Sequence, residues 1–171
     1  YDKAWFSEQG IDPPADLNAL TDSTYKGLTV VENPATSSPG LAFLLATVGH
    51  YGEEGYLDYW QALRDNEVLV VDGWEEAYWG QFSAASDGDR PIVVSYASSP
   101  PAEVYFAEEP PDEAPTDVVL ALLRRRRGVA VGRVGPVGRR HGSRGLVRHR
   151  RQRRSVEAHL VRLRRAIAVA L

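Results

Sequence analysis

At 171 residues, 43% of them apolar and 25% charged, the chain is long enough for one domain with a proper core, since chains of this size bury roughly 68–70% of their unfolded surface. It contains no cysteine, which excludes a disulfide scaffold, a Cys-ligated zinc or iron–sulfur centre and a thiol nucleophile. No apolar run approaches the ~20 residues needed to cross a bilayer. The net charge of −3 conceals a split: residues 1–116 carry 21 acidic against 4 basic side chains, a net of −17, while residues 117–171 carry 2 acids against 16 arginines, a net of +14. All 4 Trp, 8 Tyr and 4 Phe precede residue 107. A packed domain is therefore expected over 1–113, and a compositionally different, Arg-rich tail over 114–171.

The chain opens on Tyr1-Asp2-Lys3-Ala4-Trp5-Phe6 and contains no methionine, so it reads as the interior of a longer product. Prolines 13 and 14 after the acidic cap Asp12 and before the apolar-spaced Leu17 and Leu20 predict the start of a brief helix within 11–20. GLTVVE (27–32) predicts a strand that stops at Asn33-Pro34. Pro39 suits the first turn of a helix, and Leu41, Leu44, Leu45 and Val48 supply the stripe of a helix buried along one side. A second helix is expected from Tyr56 to about Arg64, then a strand at 68–71. Asp72 is placed to cap a third helix whose first turn carries Glu75 and Glu76, closed by Asp87-Gly88-Asp89. A strand at 91–96, the loop 97–101 and a further strand at 104–106 complete the pattern. The segment 108–115 (EEPPDEAP) reads as an acidic, proline-rich linker. Strands alternating with helices predict an α/β fold built on a small, mainly parallel sheet, with ligands held where strand ends meet helix starts.

Three such junctions carry the candidate chemistry. Thr36-Ser37-Ser38-Pro39-Gly40 gathers hydroxyls and free backbone N–H groups at a helix start, an arrangement suited to an anion or hydroxyl, although Ser38 is equally suited to capping. Asp72-Gly73-Trp74-Glu75-Glu76-Ala77-Tyr78-Trp79 places two Trp five residues apart, which on a regular helix do not point to one place; Trp74 is expected to project and Tyr78 to lie one turn above it. Ser95-Tyr96-Ala97-Ser98-Ser99 sets a ring and several hydroxyls at a strand end. Trp74 with Tyr96 suits an aromatic slot for a flat or cationic ligand, and the acidic body attracts a cation at long range; the alternative is that Trp74, Tyr78 and Trp79 are core or rim packing. Enzyme signatures are poor: no HExxH, Walker loop, GxSxG or EF-hand occurs, His50 suits a helix-end dipole contact, and no catalytic or metal-ligating set is assigned.

As a set, VENPATSSPGLAFLLATVGHYGE, YWQAL, VVDGWEEAYWGQF and IVVSYASSPPAEV resemble the thiamine-binding, substrate-binding proteins of bacterial ABC importers. More distantly they resemble the iron-binding and spermidine-binding members of the same type II periplasmic-binding-protein superfamily. The resemblance covers residues 1 to about 113, one lobe of a two-lobed clamshell, with the first lobe that precedes it in the family missing. It implies a protein that is periplasmic or otherwise extracytoplasmic, needs no cofactor, binds thiamine or its phosphate esters, and hands them to permease subunits without chemistry. It further implies that Trp74 and Tyr96 are pocket aromatics and that Ser37, with Thr36 and Ser38 beside it, is the polar loop; Tyr78 and Ser99 join the candidate ligand-binding residues from the motifs themselves. Ala102 stands where the family carries another aromatic. One isolated lobe is expected to bind weakly, because small-molecule pockets enclose 70–90% of their ligand.

The tail admits separate readings. Its arginines suit a nucleic-acid arm with strong salt dependence, though it has no aromatic residue and no lysine. Residues 155–171 have the basic amphipathic pattern of a helix for an anionic membrane surface. Its Arg, Gly, Val and Ala content also matches a GC-rich gene translated out of frame.

Overall fold

The computed structural model describes residues 1–119; the expected helix over 155–171 and the Arg-rich clusters lie outside the described residues. Three parallel strands form the centre: β1 (Thr29–Glu32), β2 (Leu69–Val71) and β3 (Ile92–Val93), in the order β2-β1-β3. The register sets Val31 beside Val70 and Val30 beside Val93. Every residue of β1 is buried, as expected of a central parallel strand covered on both faces. The α/β reading of the sequence holds.

Helix α1 (Lys3–Gln9) precedes the sheet and was not expected from the sequence. Its caps are regular: the Asp2 carboxylate accepts the Trp5 N–H at 3.1 Å, and Gly10 closes it at φ 65°. The brief helix expected to start within 11–20 is replaced by short 3-10 turns at Ala19–Thr21 and Ser23–Tyr25. Asp16 explains the difference, because its carboxylate takes the N–H groups of Asn18 (2.8 Å) and Ala19 (3.1 Å) and so offers the backbone a local alternative to a helix.

Helix α2 (Ser38–Asp65) is broken at Gly52, whose φ 79° and ψ 173° lie in a region open almost only to glycine; a side chain there costs about 1–3 kcal/mol. Its two arms correspond to the two helices expected from the sequence. They fold back on each other: Trp60 Nε1 donates to Thr47 Oγ1 at 2.9 Å, and the Phe43 and Trp60 rings meet edge to face at 5.5 Å. Residues 13 apart on a straight helix would be separated by about 20 Å. Gly40 brings the first arm against β1, since a Cβ there would lie 2.3 Å from the Glu32 carbonyl oxygen. This seating corrects the expected stripe: Leu44 is buried and Val48 half-buried, whereas Leu41 and Leu45 are 41% and 50% exposed.

After β2, helix α3 (Trp74–Glu76) runs directly into a π turn, Ala77–Gln81, shorter than the helix expected up to Asp87. Asp72 does not cap it. Gly73 holds the cap position without a side-chain bond, and the Asp72 carboxylate instead accepts from Asn33 Nδ2 at 3.3 Å. The strand expected at 104–106 is the end of α4 (Ser99–Phe106). Pro100 and Pro101 fall in its first turn, where a missing N–H is harmless and the ring's fixed φ suits the helix. The first residues of the chain lie beside residues 115–116, with Asp2 and Thr116 forming an antiparallel bridge and Lys3 N–H bonded to the Pro115 carbonyl at 3.1 Å.

Candidate functional site

Because the strands are parallel and adjacent, the three loops that leave their carboxyl ends open on one edge of the sheet, the place where open α/β sheets hold ligands. Two of these loops are tied together. Thr36 Oγ1 donates to the Asp72 carbonyl at 2.7 Å, and the Asn33 N–H donates to the Val71 carbonyl at 2.7 Å. The Thr36 hydroxyl is thus committed to holding the β1–α2 loop against the β2–α3 loop. Ser37 is the residue before α2 and makes no side-chain cap bond; its buried Oγ has no hydrogen-bond partner among the described residues. Ser38 is exposed at the start of α2.

Trp74 is the centre of the aromatic group. Tyr78 stacks on it, with ring centroids 4.8 Å apart and planes 24° from parallel, and Tyr96 lies tilted at 6.4 Å. Trp79 meets Trp74 edge to face at 6.1 Å, contrary to the expectation that rings five residues apart do not converge. The π turn is the cause: the Phe82 N–H bonds the Ala77 carbonyl, an i to i+5 closure that widens the coil. Tyr96 is 51% and Trp79 57% exposed, so the group offers ring surface to solvent, while Tyr78 is buried beneath it.

Hydrogen bonds fix the orientation of Trp74. Its Nε1 donates to Ser95 Oγ at 2.9 Å, and Ser95 Oγ lies 2.9 Å from Ser99 Oγ. Ser99 therefore braces the indole through Ser95, which lies in the Ser95–Ser99 motif but is not among the residues expected to bind ligand. Tyr78 donates its hydroxyl to Glu103 Oε1. Burial, and after it this bond, push the Tyr78 phenol above its ordinary pKa, so it stays protonated and a donor. Beside the group runs a groove of about 350 Å³ lined by Thr29, Phe43, Val94, Tyr78, Tyr96 and Thr116 among others. Among the described residues no cluster of His, Asp or Glu is arranged to hold a metal ion, and no helix is long and apolar enough to cross a membrane.

A family model described as bacterial extracellular solute-binding protein matches residues 1–119. The chain belongs to that family. Among curated relatives, the thiamine-binding periplasmic protein of Brucella abortus is 36% identical over 105 residues, which are 58% of this chain and 30% of that protein. The protein of the same name from Salmonella typhimurium is 38% identical over 89 residues, 52% of this chain and 26% of its own length. A solved periplasmic thiamin binding protein superposes with a TM-score of 0.53 at 32% identity, covering 68% of this chain and 34% of that one. The chain thus spans under a third of the curated relatives it matches here.

Proposed function

We propose that residues 1–113 act as one lobe of a two-lobed, periplasmic or otherwise extracytoplasmic solute-binding protein, followed by an Arg-rich tail over 114–171 whose first residues, 114–117, bond back to Tyr1 and Lys3. Its ligand is thiamine or a thiamine phosphate, which it passes to the permease subunits of an ABC importer without altering it. The observation that carries this reading is the ring geometry at Trp74. An indole is stacked on one side by Tyr78 at 4.8 Å and flanked by the exposed Tyr96 at 6.4 Å. Such a surface suits a flat thiazolium, and a cation over an aromatic face gains roughly 0.5–2 kcal/mol. The net of −17 over residues 1–116 draws a cation toward it. The start of α2, with its buried Ser37 hydroxyl, suits the hydroxyl or phosphate end of the ligand. The names of the relatives agree with the same ligand.

One lobe leaves much of the ligand in water, so the chain alone is expected to bind thiamine more weakly than micromolar. Saturation-transfer NMR, which observes the ligand, measures this without relying on the Trp74 fluorophore. Trp74→Ala is expected to weaken the interaction by at least about tenfold, because it removes the stacked face and the cation–π contact together. An unchanged affinity in that variant, with the fold intact by circular dichroism, contradicts the assignment.

A further inference from the structure

A carboxylate is wired to the aromatic group through Tyr78, its buried member. Glu103, on α4, accepts the Tyr78 hydroxyl at Oε1 and the Thr116 hydroxyl at Oε2, the latter at 2.5 Å. Tyr78 in turn stacks on Trp74. The series Thr116, Glu103, Tyr78, Trp74 therefore runs from the bridge between Asp2 and Thr116 to the aromatic group that offers ring surface to solvent. Both hydroxyls donate, so each carboxylate oxygen acts as an acceptor. The ion pairs found among the described residues lie elsewhere: Lys3 with Glu113, Lys26 with Glu67 and Arg90 with Asp89. The α-amino group of Tyr1 feels the Glu103 charge but donates to the Asp117 carbonyl.

Hydrogen bonds polarise one another in series, and a phenol that donates to a carboxylate gains electron density on its ring. That density strengthens the negative face on which cation–π attraction depends, and the carboxylate adds its own field through a half-buried, low-dielectric path. We propose that Glu103 is a positioning residue that sets the charge selectivity of the slot, making it prefer a flat cation to a neutral ring of the same shape, and that it acts through Tyr78 and not by contact with the ligand. This rests on the reading of Trp74 and Tyr96 as the slot.

The test uses N-methylquinolinium and quinoline, which share a shape and differ in charge near neutral pH, with thiamine as a third probe, each titrated against the full chain by saturation-transfer NMR. Glu103→Gln keeps the size and one acceptor but removes the charge. It is expected to weaken N-methylquinolinium binding about five- to tenfold while quinoline changes less than about twofold. Thr116→Val keeps the charge and is expected to preserve the cation-to-neutral ratio. Should Glu103→Gln fail to fold, Tyr78→Phe removes the linking hydroxyl with Glu103 in place, and it too is expected to lower the ratio. Equal losses for both probes in Glu103→Gln, an unchanged ratio, or a Thr116→Val ratio that falls as far, would overturn the proposal. A Glu103-dependent response to N-methylquinolinium with none to thiamine supports the role of Glu103 and defeats the thiamine reading. Thiamine binding that ignores Glu103 does the opposite, and silence from both cations defeats both.

Discussion

Trp60→Ala is expected to lower the stability of the fold by about 3–5 kcal/mol, the range for truncating a large buried aromatic. Trp60 is among the largest fully buried side chains and belongs to the main core cluster with Phe6, Leu44, Tyr56, Tyr59 and Leu63. It also holds the reversal at Gly52. Its Nε1 donates to Thr47 Oγ1 at 2.9 Å, and the Thr47 hydroxyl donates onward to the Leu44 carbonyl at 2.7 Å, so one side chain joins the two arms of α2. Domains are commonly stable by only ~5–15 kcal/mol, so the loss is a large fraction of the whole. Trp60→Phe keeps most of the ring surface and gives up the N–H bond, an effect on the order of 1 kcal/mol for the bond itself. Urea unfolding followed by circular dichroism measures both. A Trp60→Ala variant within 1 kcal/mol of the parent would show that the two arms are held together by something other than this contact.

Glu32 is expected to make the fold less stable as pH rises from about 4.5 to about 7. It sits at the end of the central strand, fully buried, and neither carboxylate oxygen has a hydrogen-bond partner among the described residues. Burial disfavours the charged form and raises its pKa from 4.5 to about 7. The sign follows from proton counting. Between those two values the unfolded chain has released the proton and the folded chain has kept it, so unfolding becomes easier as pH rises. Below 4.5 both states are protonated, and above 7 both are ionised with the full penalty present. The shift corresponds to about 3 kcal/mol. Glu32→Gln removes the titration but keeps the shape. The difference in unfolding free energy between the two proteins is therefore expected to move by about 3 kcal/mol in favour of the glutamine variant from pH 4.5 to pH 8. Taking the difference cancels groups common to both, including Asp16 and Asp22, whose pKa values are lowered by backbone N–H bonds. A difference that is flat across this range would mean that Glu32 is solvated or paired.

The sheet was legible because its strands are apolar runs of β-branched residues bounded by turn residues: TVVE before Asn33-Pro34, LVV before Asp72-Gly73, and IVV after Pro91. Buried parallel strands leave that mark whatever their neighbours. The end of α4 was misread for the same reason, since Val104-Tyr105-Phe106 is a short apolar run that periodicity alone does not distinguish from a strand. Pro100 and Pro101, taken as loop residues, were the better signal. The caps of α1 are also present in the sequence, as Asp2 and Gly10. At the site, Trp74, Tyr78 and Tyr96 were legible as aromatics at strand-to-helix junctions. Trp79 was not, because its approach to Trp74 depends on a π turn that no residue pattern announces. Nor was Glu103, whose role depends on α4 bringing it under Tyr78, 25 residues away in sequence. The burial of Glu32 was invisible as well, since a glutamate closing a strand reads as a solvated end.

The central claim is that a flat cation lies on the rings of Trp74 and Tyr96, and intermolecular nuclear Overhauser effects test it most directly. With the labelled full chain and thiamine in large excess, the account predicts cross-peaks from the thiazolium protons to the ring protons of both Trp74 and Tyr96, lost in Trp74→Ala. Cross-peaks confined to other residues, such as the exposed Tyr105 and Phe106 of α4, or none to either ring while thiamine binds, would contradict it.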